Sequence, residues 1–147
     1  MNTNYKVTPP PKLSGIAIKL LAAYIEWQSL TRHIPKTLRY SLGIRIDALF
    51  AELIELTSEA QFELKEKRVT IIGRAVTKND TLKFMLYALS ELKGIEEPTF
   101  ISLSLKLEEV GRMLYGWKNQ ALSQTKSESP KQNHPEKDLF QDGNKKE

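Results

Sequence analysis

The chain contains no cysteine. That excludes a disulfide framework, thiolate catalysis and any cysteine-bound zinc, and it suits a cytoplasmic setting. Histidine is almost as scarce: His33 falls in the turn-like stretch from Thr31 to Pro35, and His134 in a polar tail. Neither stands inside a periodic segment that would hold a general base or a Glu-x-x-His iron site. A glycine-rich phosphate loop is missing as well, because the spacing from Gly111 to Gly116 lies within a helical repeat and follows no strand. Long apolar runs are absent. Lys19 and Glu26 interrupt residues 16–27, so no membrane span is expected, and MNTNYKVTPPPK lacks the basic-then-apolar form of an export signal. No stretch alternates with a period of two over a useful length, which leaves no candidate strand. These absences argue against an enzyme, and neither metal nor cofactor is expected.

What remains is helical periodicity. Pro9, Pro10 and Pro11 keep the chain extended, and from Lys12 the residues Leu13, Ala17, Leu20, Tyr24 and Trp27 recur in steps of four and three, predicting a helix to about Thr31. Pro35 suits the first turn of a second helix running to about Phe62, with Leu38, Leu42, Ile46, Leu49, Leu53, Leu56 and Ala60 on one stripe. A third helix carries Ile71, Ala75, Leu82, Leu86 and Leu89. Its apolar phase persists across Thr77 to Asp80, so one continuous rod is expected, with Gly94 as its stop. Glu96, Glu97 and Pro98 open a fourth helix bearing Leu103, Leu107, Val110, Leu114 and Trp117. The expected fold is all-α, an up-down-up-down four-helix bundle over residues 12–124. Residues 1–11 read as a flexible proline-rich segment. Residues 125–147, rich in Lys, Glu, Ser, Asn and Gln, read as a disordered tail.

The helices carry more apolar surface than one core needs. Ile18, Leu21 and Ile25 form a second strip on the first helix, Phe50 and Ile54 widen the stripe of the second, and Ile101 and Leu105 lie on the back of the fourth. A packing partner needs a face of about 100°, and several Ile, Leu and Phe side chains left together in water are costly at about 25 cal/mol per Å². Self-association through these seven residues is therefore expected.

Charge is the other feature with content. The net charge is +4 and the tail sums to zero, so the helical body is mildly basic. On the third helix Lys67, Arg74 and Lys78 fall within about 40° of one another and span roughly 16 Å. A second cluster, Arg32, His33, Lys36 and Arg39, straddles the first turn, and no acidic residue occurs between Glu26 and Asp47. Arg112 shares the back of the fourth helix with Ile101 and Leu105, where a phosphate or a subunit contact would fit equally. Such rows can neutralise nucleic-acid phosphates, and the same charges also suit an ordinary solvated surface. The cations early in the second helix, and Glu52, Glu55, Glu59 and Glu63 late in it, oppose the helix dipole. Helix stability alone does not call for them.

Three segments carry a family resemblance: HIPKTLRYSLG from His33 to Gly43, DTLKF from Asp80 to Phe84, and LEEVGRMLYGW from Leu107 to Trp117. In this order and spacing they resemble the Avd proteins, accessory variability determinants of diversity-generating retroelements. Those proteins form one four-helix-bundle family with the ribosomal-RNA intervening-sequence proteins. The resemblance covers about residues 13–120 and implies a homopentameric barrel without an active site. It further implies a basic surface that binds RNA or RNA/DNA, and a partner reverse transcriptase whose error-prone copying it supports. Arg39, Tyr40, Gly43, Lys83, Gly111, Arg112 and Trp117 match family-motif positions. A bundle with a purely structural or protein-contact role is the alternative.

Overall fold

Ser14 sets the start of the first helix. Its hydroxyl accepts the Ala17 N–H at 3.2 Å, satisfying one of the orphan donors of the first turn. The computed structural model describes residues 14–128; segment 1–11 and the tail beyond residue 128 lie outside the described residues. Four helical rods follow Ser14. α1 is Gly15–Leu30, a few residues shorter at its start than the apolar phase suggested. A 3-10 turn, Thr31–His33, leads to α2, one rod over residues 36–62 built from Lys36–Leu38, a π-helical segment Arg39–Gly43, and Ile44–Phe62. α3 is Lys65–Glu91 and α4 is Glu97–Glu128, running past the expected bundle limit at residue 124. No strand occurs among the described residues, and no helix among them is long and apolar enough to cross a membrane.

α1 packs between α2 and α4, and α3 packs between the same two helices on the far side. α1 and α3 are thus diagonal to each other. The core holds Leu20 and Trp27 from α1, Ile46, Phe50 and Leu53 from α2, Leu82, Leu86 and Leu89 from α3, and Leu103, Leu107 and Leu114 from α4. Phe50 corrects an expectation. Assigned above to a subunit interface, it has no exposed surface; its ring lies 5.5 Å from that of Tyr24 and is stacked 6.2 Å from that of Trp27. The broad face of α2 is covered on both sides by its own chain. Thr57 is buried with it and donates its hydroxyl to the Leu53 carbonyl at 2.8 Å. Ile54 alone of the widening residues stays at the surface.

α3 crosses its polar tract unbroken because that tract is used locally. Thr77 and Thr81 donate to the carbonyls of Gly73 and Thr77, and Asn79 turns fully inward, where its Nδ2 donates to the Leu107 carbonyl of α4 at 3.0 Å. Gly111 makes room for that amide, since a Cβ there would lie 3.1 Å from Asn79 Nδ2. Gly116 has open space around its Cα, so the motif glycines do not share one cause.

The end of α3 also departs from expectation. The residue in the left-handed region is Lys93, with φ 63°, and the Gly94 N–H donates to the Leu89 carbonyl at 2.9 Å. Gly94 is required for space instead: a Cβ would collide with Leu89 Cδ1 and lie 3.1 Å from Leu38 Cδ1. Overpacking of this kind costs about 1 to 3 kcal/mol. Gly94→Ala should lower the urea midpoint by a corresponding amount with an unchanged m-value, and an unaltered midpoint would show that the turn gives way freely.

Candidate nucleic-acid interface

The basic residues do not form one surface. Arg32, His33 and Lys36 are exposed together at the turn between α1 and α2. Among the described residues no carboxylate lies within ion-pair distance of Arg32 or Lys36. Ile34, buried between them, anchors this turn in the core. Arg39 belongs to the same neighbourhood in a different capacity. Its Nη2 donates to the carbonyls of Arg32 at 2.6 Å and Ile34 at 2.9 Å, and its Nε is buried. It closes the carbonyl end of the turn, so one nitrogen of this expected phosphate-binding residue is engaged with the backbone.

Along α3, Lys67 and Arg74 are exposed, while Lys78 Nζ lies 2.9 Å from Glu52 Oε2 of α2. That pair spans the seam between the two antiparallel helices. With 3.6 residues per turn, Glu55 and Glu59 follow Glu52 along the border of α2 next to α3. The glutamate arc and the lysine-arginine row are thus neighbours across one seam. Of the charges that oppose the dipole of α2, Glu52 finds a counterpart on α3, which takes Lys78 out of the row.

Arg112 is exposed on α4, apart from both groups. It adds to the field at Glu108, whose carboxylate is 3.0 Å from Lys83 Nζ; Lys83 also reaches Asp80 at 3.6 Å. Burial works against the Lys83 ammonium, but the hydrogen bond and charge of Glu108, with Asp80 behind it, hold its pKa above the ordinary 10.5. The hydrogen bond from Lys83, then its charge, brings Glu108 below the usual 4.5.

The apolar strips lie on the outer faces of α1 and α4. Ile25 is 60% exposed and Leu105 64%, with Ile18, Leu21 and Ile101 also open to solvent. Two ion pairs, Lys106 with Glu26 and Lys19 with Glu109, hold the α1–α4 seam between these strips. The helical phase of Ile54 places it on the side of α2 next to α1. Ile18, Leu21, Ile25 and Ile54 therefore lie on the α1 and α2 side of the bundle, and Ile101 and Leu105 on the outer face of α4 beside Arg112.

Sequence reasoning missed two features. Arg68 donates to the carbonyls of Ala60 and Glu63 and closes the end of α2 much as Arg39 closes the turn after α1. An open cavity of about 930 Å³ lies at the end of the bundle that holds His33 and Lys93, and Tyr87 and Phe100 line it with rings 6.0 Å apart. No spacing in the sequence brings these segments together. Among the described residues no group of His, Cys, Asp and Glu could hold a metal ion.

The bridge between Lys83 and Glu108 has a defined pH window. The lowered carboxyl contributes stability above about pH 4.5 that fades as the pH falls through its folded value, and the raised ammonium contributes up to about pH 10.5 and is lost beyond. Lys83→Met should lower Tm slightly at neutral pH and low salt, because exposed pairs contribute little. The difference from the parent should shrink as the pH falls below 4.5 and be lost once Glu108 is protonated. A difference that persists in acid would assign the effect to packing of the lysine stem.

Neither a protein-family model nor a curated protein matches this chain, so its reading rests on its own residues and their arrangement.

Proposed function

We propose that this chain is a non-enzymatic accessory protein that binds nucleic acid, template RNA or an RNA/DNA hybrid, through exposed cations. It assembles as a homo-oligomer, a pentameric barrel, and holds the nucleic acid near a partner reverse transcriptase, supporting mutagenic copying in a diversity-generating retroelement. The observation that carries the nucleic-acid part is the turn between α1 and α2. Arg32, His33 and Lys36 are exposed there on a stiff support, and among the described residues no carboxylate neutralises Arg32 or Lys36. Cations arranged this way release phosphate counterions on contact with a polyanion. The exposed apolar residues of α1 and α4, Ile18, Leu21, Ile25, Ile101 and Leu105, support self-association. The reverse transcriptase and the five-fold assembly draw their support from the three Avd-like segments.

A bundle that contacts only proteins is the second reading, and the Lys78–Glu52 pair favours it, because part of the expected basic row is already neutralised. RNA titrations over a range of salt separate the two. The parent should bind single-stranded RNA with an affinity falling as a power of salt concentration, by about 0.7 in slope per phosphate contact. Arg32→Glu with Lys36→Glu should abolish most of that binding, whereas Arg74→Glu should have a smaller effect and leave helix content unchanged. Binding that is absent in the parent, or that ignores salt, selects the protein-contact reading.

A further inference from the structure

We propose that Arg39 is a positioning residue for the phosphate-binding turn, acting through Arg32 and Lys36 without touching nucleic acid itself. The proposal rests on the nucleic-acid reading above and assigns one motif arginine its part in it.

The backbone between α1 and α2 leaves carbonyls that helix geometry does not satisfy. The Ile34 N–H donates to the Thr31 carbonyl, and the N–H groups of Leu38 and Arg39 both donate to Pro35. Arg32 and Ile34 thus present carbonyl oxygens at the carbonyl end of α1, where the helix dipole concentrates negative charge. The two hydrogens of Arg39 Nη2 take one each, reaching back seven residues to 2.6 Å and five residues to 2.9 Å. The grip fixes the backbone of Arg32. Buried Ile34 and the ring of Pro35 continue that rigidity to Lys36, the first residue of α2. The two exposed cations are thereby held four residues apart on a frame that does not move when a phosphate chain arrives, which limits the ordering cost of binding.

Arg39 is poorly placed as a ligand. Its Nη2 is engaged with carbonyls, and its Nε is buried away from any incoming oxygen. Lysine would keep the charge, but its ammonium sits on a shorter, flexible stem without the rigid planar guanidinium that holds Nη2 between the two carbonyls. Charge and grip can therefore be separated.

The experiment is a fluorescence-anisotropy titration of a short single-stranded RNA against the full chain, well below the melting temperature of every variant. Arg39→Lys and Arg39→Gln should both weaken binding by about tenfold, and both should lower the salt slope toward that of Arg32→Gln with Lys36→Gln, about 1.4 below the parent for two lost contacts. Adding Arg39→Gln to that double variant should cause no further loss, because its effect passes through the two residues already removed. Amide exchange should quicken at residues 31–36 in Arg39→Lys and stay unchanged in α3. Arg39→Lys binding like the parent would show that charge alone matters, and an additional loss in the triple variant would show a direct phosphate contact. A lowered melting temperature with unchanged affinity would reduce Arg39 to a structural clamp; each of these results overturns the proposal. A parent that binds no RNA fails the nucleic-acid reading as a whole, a result distinct from the other three.

Discussion

The width of the apolar faces governs this molecule. Four helices meet around a core in which Phe50 of α2 packs against Trp27 and Tyr24 of α1, and each helix can turn only one side toward it. On α2 the two flanks of the broad stripe, with Phe50 and Thr57, are covered by α1 and α3, while Tyr40, Ile44, Ile54 and Phe62 stay in solvent. The inward stripes of α1 and α4 are filled by Leu20, Trp27, Leu103 and Leu107, and Ile18, Ile25, Ile101 and Leu105 remain in solvent on the other side. The hydrophobic effect that closes the protomer leaves a second apolar surface that the protomer cannot close.

Cations divide between building the fold and facing outward. Arg39 and Arg68 each reach back to carbonyls at the end of the preceding helix. Lys19, Lys106, Lys78 and Lys83 join neighbouring helices through carboxylates. Fewer cations stay free of such contacts than the composition suggests, and Arg32 and Lys36, at the turn that Arg39 spans, are among them. The site and the fold are therefore not independent. The turn that presents Arg32 and Lys36 is the one that ends α1, begins α2 and buries Ile34.

Much of the fold was legible because helical periodicity depends only on spacing along the chain. Leu20, Trp27, Leu53, Leu86 and Leu107 stand in the core where their phase places them, and α3 runs through its polar tract as the same phase demands. Ser14 was legible in principle, since a serine before an apolar run is a helix-start signal, but Leu13 extended the apolar phase and hid it. Phe50 was misplaced because phase alone does not say how many neighbours a helix has. The Lys78–Glu52 pair depends on the register between α2 and α3, and the Arg39 grip on the path of a turn containing proline. Neither is written in any one helix. Lys93 in the left-handed region is likewise a property of the connection, where the adjacent Gly94 gave the more obvious signal.

The mass of the full chain in solution tests the governing constraint most directly. Sedimentation equilibrium of the parent at micromolar concentration should give the chain mass multiplied by an integer of two or more. Ile25→Glu with Leu105→Glu should reduce it to a single protomer with undiminished helix content, because both residues lie outside the core. A parent that is a stable, fully helical monomer across that concentration range would contradict the account.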